Sequence, residues 1–170
     1  MRVLGLDPGL RRTGWGIVEA TGNRLRYMAS GAVATDARKS TAARLTQLYE
    51  GVLKIIDEHR PHCAAVEEVF VNKNPGTTLK LGQARGVVML APAMRGLEIS
   101  EYSTNLIKKS VVGSGHAQKE QIAVMLRMLL PGAAHDDPDA SDALAAAICH
   151  IHLAGTRALW VASPTTATRP

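Results

Sequence analysis

"RVLGLDPGLRRTGWGIVEATGNRLRYMASGAV", residues 2–33, decides the fold. "RVLGLD" (2–7) is an apolar run of strand length, and Pro8-Gly9 turns it. "TGWGIVEA" (13–20) reads as a second strand. "TGN" (21–23) is a hairpin signal, and "RLRYMASGAV" (24–33) reads as a third strand. The chain therefore opens as an antiparallel meander.

The period then changes. Leu45, Leu48, Tyr49, Val52, Leu53 and Ile56 recur at spacings of three and four, between a capping Ser40 or Thr41 and a terminating Pro61. That predicts an amphipathic helix. "CAAVEEVFV" (63–71) returns to strand, "GTTLKLGQARGVVMLAPAMRG" (76–96) to a helix bent or ended near Pro92, and "LEISEYS" (97–103) to a last strand. "TNLIKKSVV" and "KEQIAVMLRMLL" are helices split by "GSGHAQ". A final helix starts near Pro138 and runs to about Leu153. A helical crossover from the third strand can lay the fourth parallel to the first. The order predicts an α/β fold with a five-stranded mixed sheet, three strands antiparallel and then two parallel, flanked by helices. One domain over 1–154 is expected, with 155–170, rich in Pro and Thr, as a mobile tail.

Composition bounds the function. Hydrophobic residues make up 46%, ordinary for a globular domain. No apolar run reaches membrane-spanning length, and the N-terminus lacks a signal-peptide core, so a cytoplasmic protein is expected. Cys63 and Cys149 follow no metal or redox spacing and read as free buried thiols. "CHIH" (149–152) faintly resembles a metal motif, but no second ligand pair follows. Net charge is +5, and residues 73–127 carry all of it, eight Lys or Arg against three Glu. A segregated positive field suggests a polyanion partner.

Against that field stand the acids. Asp7 closes the first strand. If the fourth strand pairs beside the first, Asp7 comes close to Glu67 and Glu68, at the sheet end where open α/β sheets place their sites. Glu67 and Glu68 face opposite sides, and alternation does not choose between them. In "HDDPDASDALAAAICH" (135–150), Asp137 fits an N-cap with Pro138 at the first helical position. Asp139 and Asp142 share one face of that helix, and capping does not use Asp142. If Asp7, one of the glutamates, Asp139 and Asp142 converge, the donors are hard oxygens, hence Mg2+ or Mn2+. Two such ions about 4 Å apart can activate water at a phosphodiester.

"LGLDPGLRRTGWG" (4–16), "AVEEVF" (65–70), "LKLGQARGV" (79–87), "VVGSGHAQK" (111–119) and "DASDALA" (139–145) together resemble the RuvC family of bacterial Holliday-junction resolvases, in register over about residues 1–153. The resemblance implies an RNase H-like fold, a homodimer and a Mg2+-dependent endonuclease of homologous recombination and repair. Such enzymes make symmetric paired nicks in a four-way DNA junction and leave 5′-phosphates. It maps the family's acids onto Asp7, Glu67, Asp139 and Asp142, which resolves the choice in favour of Glu67. It implies two ions per subunit with Asp7 bridging them, a metal-bound water attacking in line, and Lys119 stabilising the transition state. Lys108 and Lys119 map to DNA-contacting lysines, and Phe70 to an aromatic that stacks on a junction base. The helix around 77–91 resembles the family's dimer helix. RuvA–RuvB branch-migration proteins are implied as partners.

Lys73, Lys80, Arg85 and Lys109 are further DNA-contact candidates from the basic third; Arg85 could equally brace the dimer helix. Ser114 lies in "GSG" (113–115), which reads as a phosphate-approaching nest or a plain turn. His135 could act near the site. Two other functions compete. "GLDPGLRRTGWGIV" also resembles the phosphate-binding hairpin of actin- and sugar-kinase-like ATPases, although those need two such domains. A non-catalytic junction-binding protein would have no use for four carboxylates facing DNA.

Overall fold

The computed structural model describes residues 1–68, 74–133 and 137–162, with side chains to Gly155. Strands β1 (Arg2–Asp7), β2 (Arg12–Thr21) and β3 (Arg24–Ala34) form the expected meander, and β2 turns into β3 at Gly22, whose φ of 57° suits glycine. Helix α1 (Thr41–His59) follows, then β4 (Cys63–Glu67), α2 (Pro75–Met94), β5 (Glu98–Tyr102), α3 (Thr104–Val112), α4 (Lys119–Leu129) and α5 (Pro138–Ala162). The sheet order is β3-β2-β1-β4-β5. β1 pairs antiparallel with β2 and parallel with β4, and β4 parallel with β5. This is the five-stranded mixed sheet that the sequence predicts.

Each helix start has a local cause. Ser40 caps α1 by accepting from Ala43 N (3.3 Å). Asn74 caps α2 by accepting from Gly76 N and Thr77 N, and Asp137 caps α5 by accepting from Asp139 N (3.1 Å). α1 ends at Arg60, a non-glycine residue held at φ 48° just before Pro61.

The two faces of the sheet are covered differently. α1 and α2 cover one, and bulky side chains from both layers meet there, Val52 and Ile56 of α1 against Leu4, Leu6, Ile17 and Val66 of the sheet. On the other lies α5, flanked by α3 and α4. Its buried side is mostly small: Ala140, Ala143, Ala146 and Ala147, with Leu144 and Ile148. The sheet answers with glycines. A Cβ on Gly5 would stand 1.8 Å from the carbonyl oxygen of Ala143, and one on Gly14 would stand 1.9 Å from that of Asp139. Helix and sheet therefore meet backbone to backbone.

Two boundaries differ from the sequence reading. β4 stops at Glu67, and Glu68 is already outside it. α5 continues past Leu153 to Ala162, so the first part of the expected tail is helix. Ala, Leu and Arg in "GTRALWVA" are good helix formers, and one glycine costs only about 1 kcal/mol. The remainder, 163–170, lies outside the described residues. Cys63 and Cys149 are free and buried, as the sequence suggests. No helix among the described residues is long and apolar enough to cross a membrane.

Candidate active site

The β1–β4 ladder sets Leu6 beside Val66, so Asp7 and Glu67 sit side by side at the ends of two parallel strands. Asp7 is followed by a turn that Thr13 ties down. The buried Thr13 hydroxyl donates to Gly9 O (2.9 Å) and accepts from Gly9 N (3.2 Å). Glu67 is half-buried and accepts from the Thr104 hydroxyl (2.5 Å) at the start of α3. Glu68 is exposed, and its amide continues the sheet by donating to Tyr102 O. The structure thus turns Glu67, and not Glu68, toward Asp7.

α5 brings the other two acids. Gly14 is the register partner of Asp7 on β2, and it packs on the backbone of Asp139. The first turn of α5 therefore lies over the end of the sheet. Burial raises the Asp7 carboxyl to about 8, helped by the charges of Glu67, Asp142 and Asp139, while Lys119 works the other way. Burial raises Glu67 too, against the Thr104 hydrogen bond; Asp142 adds to the rise, and Lys108 and Lys119 oppose it. Burial again raises Asp142, with Lys119 and Lys108 opposing and Asp139 adding. All four candidate acids, with Lys119 and Lys108 facing them, belong to one electrostatic cluster.

Asp139 has a further partner that sequence reasoning missed. Arg12 Nε donates to Asp139 Oδ2 (2.7 Å), and its Nη2 donates to Asp137 Oδ2. The only signal in the sequence was a second arginine beside the DPG turn. As the side chains stand, no three carboxylate, histidine or cysteine groups among the described residues are arranged to hold a single ion. The donor set nevertheless suits a hard divalent cation. Three of its carboxyls are raised by burial and repulsion, which a cation would relieve, while Thr104 hydrogen-bonds Glu67 and Arg12 hydrogen-bonds Asp139.

The other candidates scatter. Lys108 is half-buried on α3 facing the acids, and Lys109 is exposed beside it. Ser114 sits in the α3–α4 turn, where Gly113 takes φ 86° and Ser114 accepts from His116 N and Ala117 N. A plain turn accounts for these bonds. Arg85 forms an ion pair with Glu101, fastening α2 to β5. Of the two roles the sequence leaves open for Arg85, this pair favours the brace. Lys80 is exposed on the N-terminal turns of α2. Phe70, Lys73 and His135 fall outside the described residues. The "CHIH" groups engage locally: His150 bridges the Cys63 thiol (3.3 Å) and the Tyr102 hydroxyl (2.9 Å).

The model of the RuvC crossover junction endodeoxyribonuclease family matches residues 3–150. This chain belongs to the RuvC family. Its members are nucleases that hydrolyse DNA phosphodiester bonds, and the RNase H-like architecture fits. The chain is 59% identical over 152 residues to the crossover junction endodeoxyribonuclease RuvC of Rhodospirillum rubrum, covering 89% of this chain and 90% of the relative. It is 57% identical over 157 residues to that of Paramagnetospirillum magneticum, covering 92% and 95%. Among solved structures it is similar to Thermus thermophilus RuvC in complex with a Holliday junction substrate. The TM-score is 0.87 at 31% identity, over 92% of this chain and 96% of that one. Family membership sets aside both the ATPase half-domain and the non-catalytic binder.

Proposed function

We propose that this chain is a Holliday-junction resolvase that cuts by divalent-cation-dependent hydrolysis at the Asp7, Glu67, Asp139 and Asp142 cluster. The observation that carries the reading is the convergence of these four acids at one sheet end, with the Asp7 carboxyl pushed up to about 8. Mg2+ is the expected ion, two per subunit, with Mn2+ able to substitute, and the four carboxylates would hold it. A divalent cation there supplies activation of water and stabilises charge on the leaving oxygen. Glu67 is oriented by Thr104, and Asp139 by Arg12. Lys119 and Lys108 place positive charge where negative charge grows on the phosphate, the kind of preorganised stabilisation that lowers barriers most. Phe70 is assigned base stacking, and Lys73, Lys109 and Ser114 backbone contacts, on the resemblance and the basic field alone.

Symmetric paired nicks with 5′-phosphate ends need two such sites related by a two-fold axis. α2 supports a homodimer. Leu79, Leu90 and Met94 are exposed on it, at 65%, 50% and 63%. Open space surrounds Gly82 and Gly86, which would let a second helix approach closely. Docking of RuvA–RuvB branch-migration proteins belongs to the same proposal, on the resemblance alone. The tail proposed for 155–170 now begins on α5.

The decisive experiment is a cleavage assay with titrated Mg2+ on a four-way junction and on a linear duplex of the same sequence. Paired nicks in the junction alone, absent in chelator, are expected. Equal cutting of both DNAs, or cutting in chelator, overturns the reading.

A further inference from the structure

On the opposite face of the sheet from α5, Leu10, Arg11, Arg44, Thr77, Lys80 and Leu81 line a cavity of about 280 Å3. The β1–β2 turn supplies Leu10 and Arg11, the first turn of α1 supplies Arg44, and the N-terminal turns of α2 supply the rest. Arg44 is fixed in place: its Nε donates to Thr35 Oγ1 (2.9 Å) and its Nη2 to Leu10 O (3.3 Å). Among the described residues, none of the three cations has a carboxylate within 4 Å. Asp36, the acid that feels the charge of Arg44, is held by Arg38.

Three like charges around one cavity repel each other, and a bound anion reverses that cost. The N-terminus of α2, where Thr77 and Lys80 sit, adds a field of the same sign. Leu10 and Leu81 give the cavity apolar walls suited to a deoxyribose or a base edge. We propose that this cavity holds one nucleotide of the junction strand, with its phosphate on Arg11, Arg44 and Lys80. The proposal rests on the resolvase reading and extends its DNA path beyond Lys108 and Lys119 to a second face. The connection to the acids is short. Arg11 follows Asp7 by four residues, so their Cα atoms are within about 14 Å. A strand rising 3.4 Å per nucleotide covers that span in roughly four steps. The site therefore grips the strand a few nucleotides from the scissile phosphate, across the edge of the sheet.

The test is the salt dependence of junction binding, measured by fluorescence anisotropy in chelator, for the wild type and the Arg11→Gln/Lys80→Gln double variant. Each neutralised phosphate contributes about 0.9 to the slope of log K against log salt, so the double variant, which strips the one phosphate in the cavity of two of its three cations, is expected to lose about 0.9. Lys54→Gln, an exposed cation elsewhere on α1, is expected to leave the slope unchanged. A thermal melt of the double variant, expected to match wild type, separates lost contacts from lost folding. An unchanged slope overturns the proposal. A deoxyadenosine monophosphate titration followed by amide shifts distinguishes a free nucleotide from a DNA strand. Saturation below millimolar at Arg11 and Lys80, with the junction slope intact in the double variant, also overturns it. If the wild type itself does not prefer a four-way junction to linear duplex, the resolvase reading fails instead.

Discussion

The β1–β2 ladder has an acid at each end, and the two are treated in opposite ways. At one end Arg2 pairs with Glu19 across the strands, and at the other Asp7 pairs with Gly14. Glu19 takes hydrogen bonds from Arg2 (3.1 Å) and from Arg26 (2.8 Å), which hold its carboxyl below the usual range. Asp7 has burial and three other acids around it, and its carboxyl is pushed up. Both sit on the same pair of strands. One charge is matched by the protein, and the other is not; on the proposed function it is left for a cation. Where a fold leaves such charge unmatched, it marks a site and accepts a loss of stability there.

The sharpest way to break the comparison is Asp7→Asn. Junction cleavage is expected to fall by about 10^3-fold or more, the scale of losing a group that acts on transition-state charge, while gel-shift binding of the junction persists. Normal cleavage would sink the assignment of the site. Stability supplies the next contrast. A carboxyl raised from 3.8 to about 8 favours folding below pH 4, and that contribution is lost as pH rises through 8. In chelator, the wild type is therefore expected to lose on the order of a few kcal/mol relative to Asp7→Asn between pH 4 and pH 8. Denaturant melts at each pH check this, and Mg2+ should restore the wild type more than the variant. Gly14→Ala comes third. It forces β2 away from the Asp139 backbone and is expected to cost about 1–3 kcal/mol, lowering cleavage with it. Arg12→Gln frees Asp139 and is expected to tighten Mn2+ binding a few-fold, read by electron paramagnetic resonance. Glu19→Gln is the smallest. Its Tm is expected to fall by at most about 3 °C, more at low salt, with cleavage unchanged.

Much of this was legible in the sequence, for physical reasons. Strand and helix periods, capping residues and the Pro-Gly turn are local signals, and they placed the meander, α1 and the start of α5. The Asp139/Asp142 spacing showed a shared face because helix geometry is fixed. Contacts between distant segments carry no such local mark. Arg12 reaches Asp137 and Asp139 across more than 120 residues, and Arg85 finds Glu101 only once β5 is in place. Glu67 and Glu68 were indistinguishable by pattern, since both neighbouring sets on the strand are apolar. The motif resemblance favoured Glu67, and in the structure Thr104 and Asp142 act on that residue while Glu68 is exposed. The end of α5 was missed because a proline-rich segment follows it, while the residues just before are good helix formers.

The glycine seam between sheet and α5 also bears on how the site can move. The carbonyls of Ala143 and Asp139 rest directly against Gly5 and Gly14, and at these two points no side chain lies between the layers to let them slide. The strand carrying Asp7 and the helix carrying Asp139 and Asp142 are then one mechanical piece, and their amides should open to hydrogen exchange together. On the proposed function, adjustment to each new DNA geometry is then expected to fall to the side chains and to the α3–α4 turn that leads into Lys119, with the separation of the acids' backbones held constant.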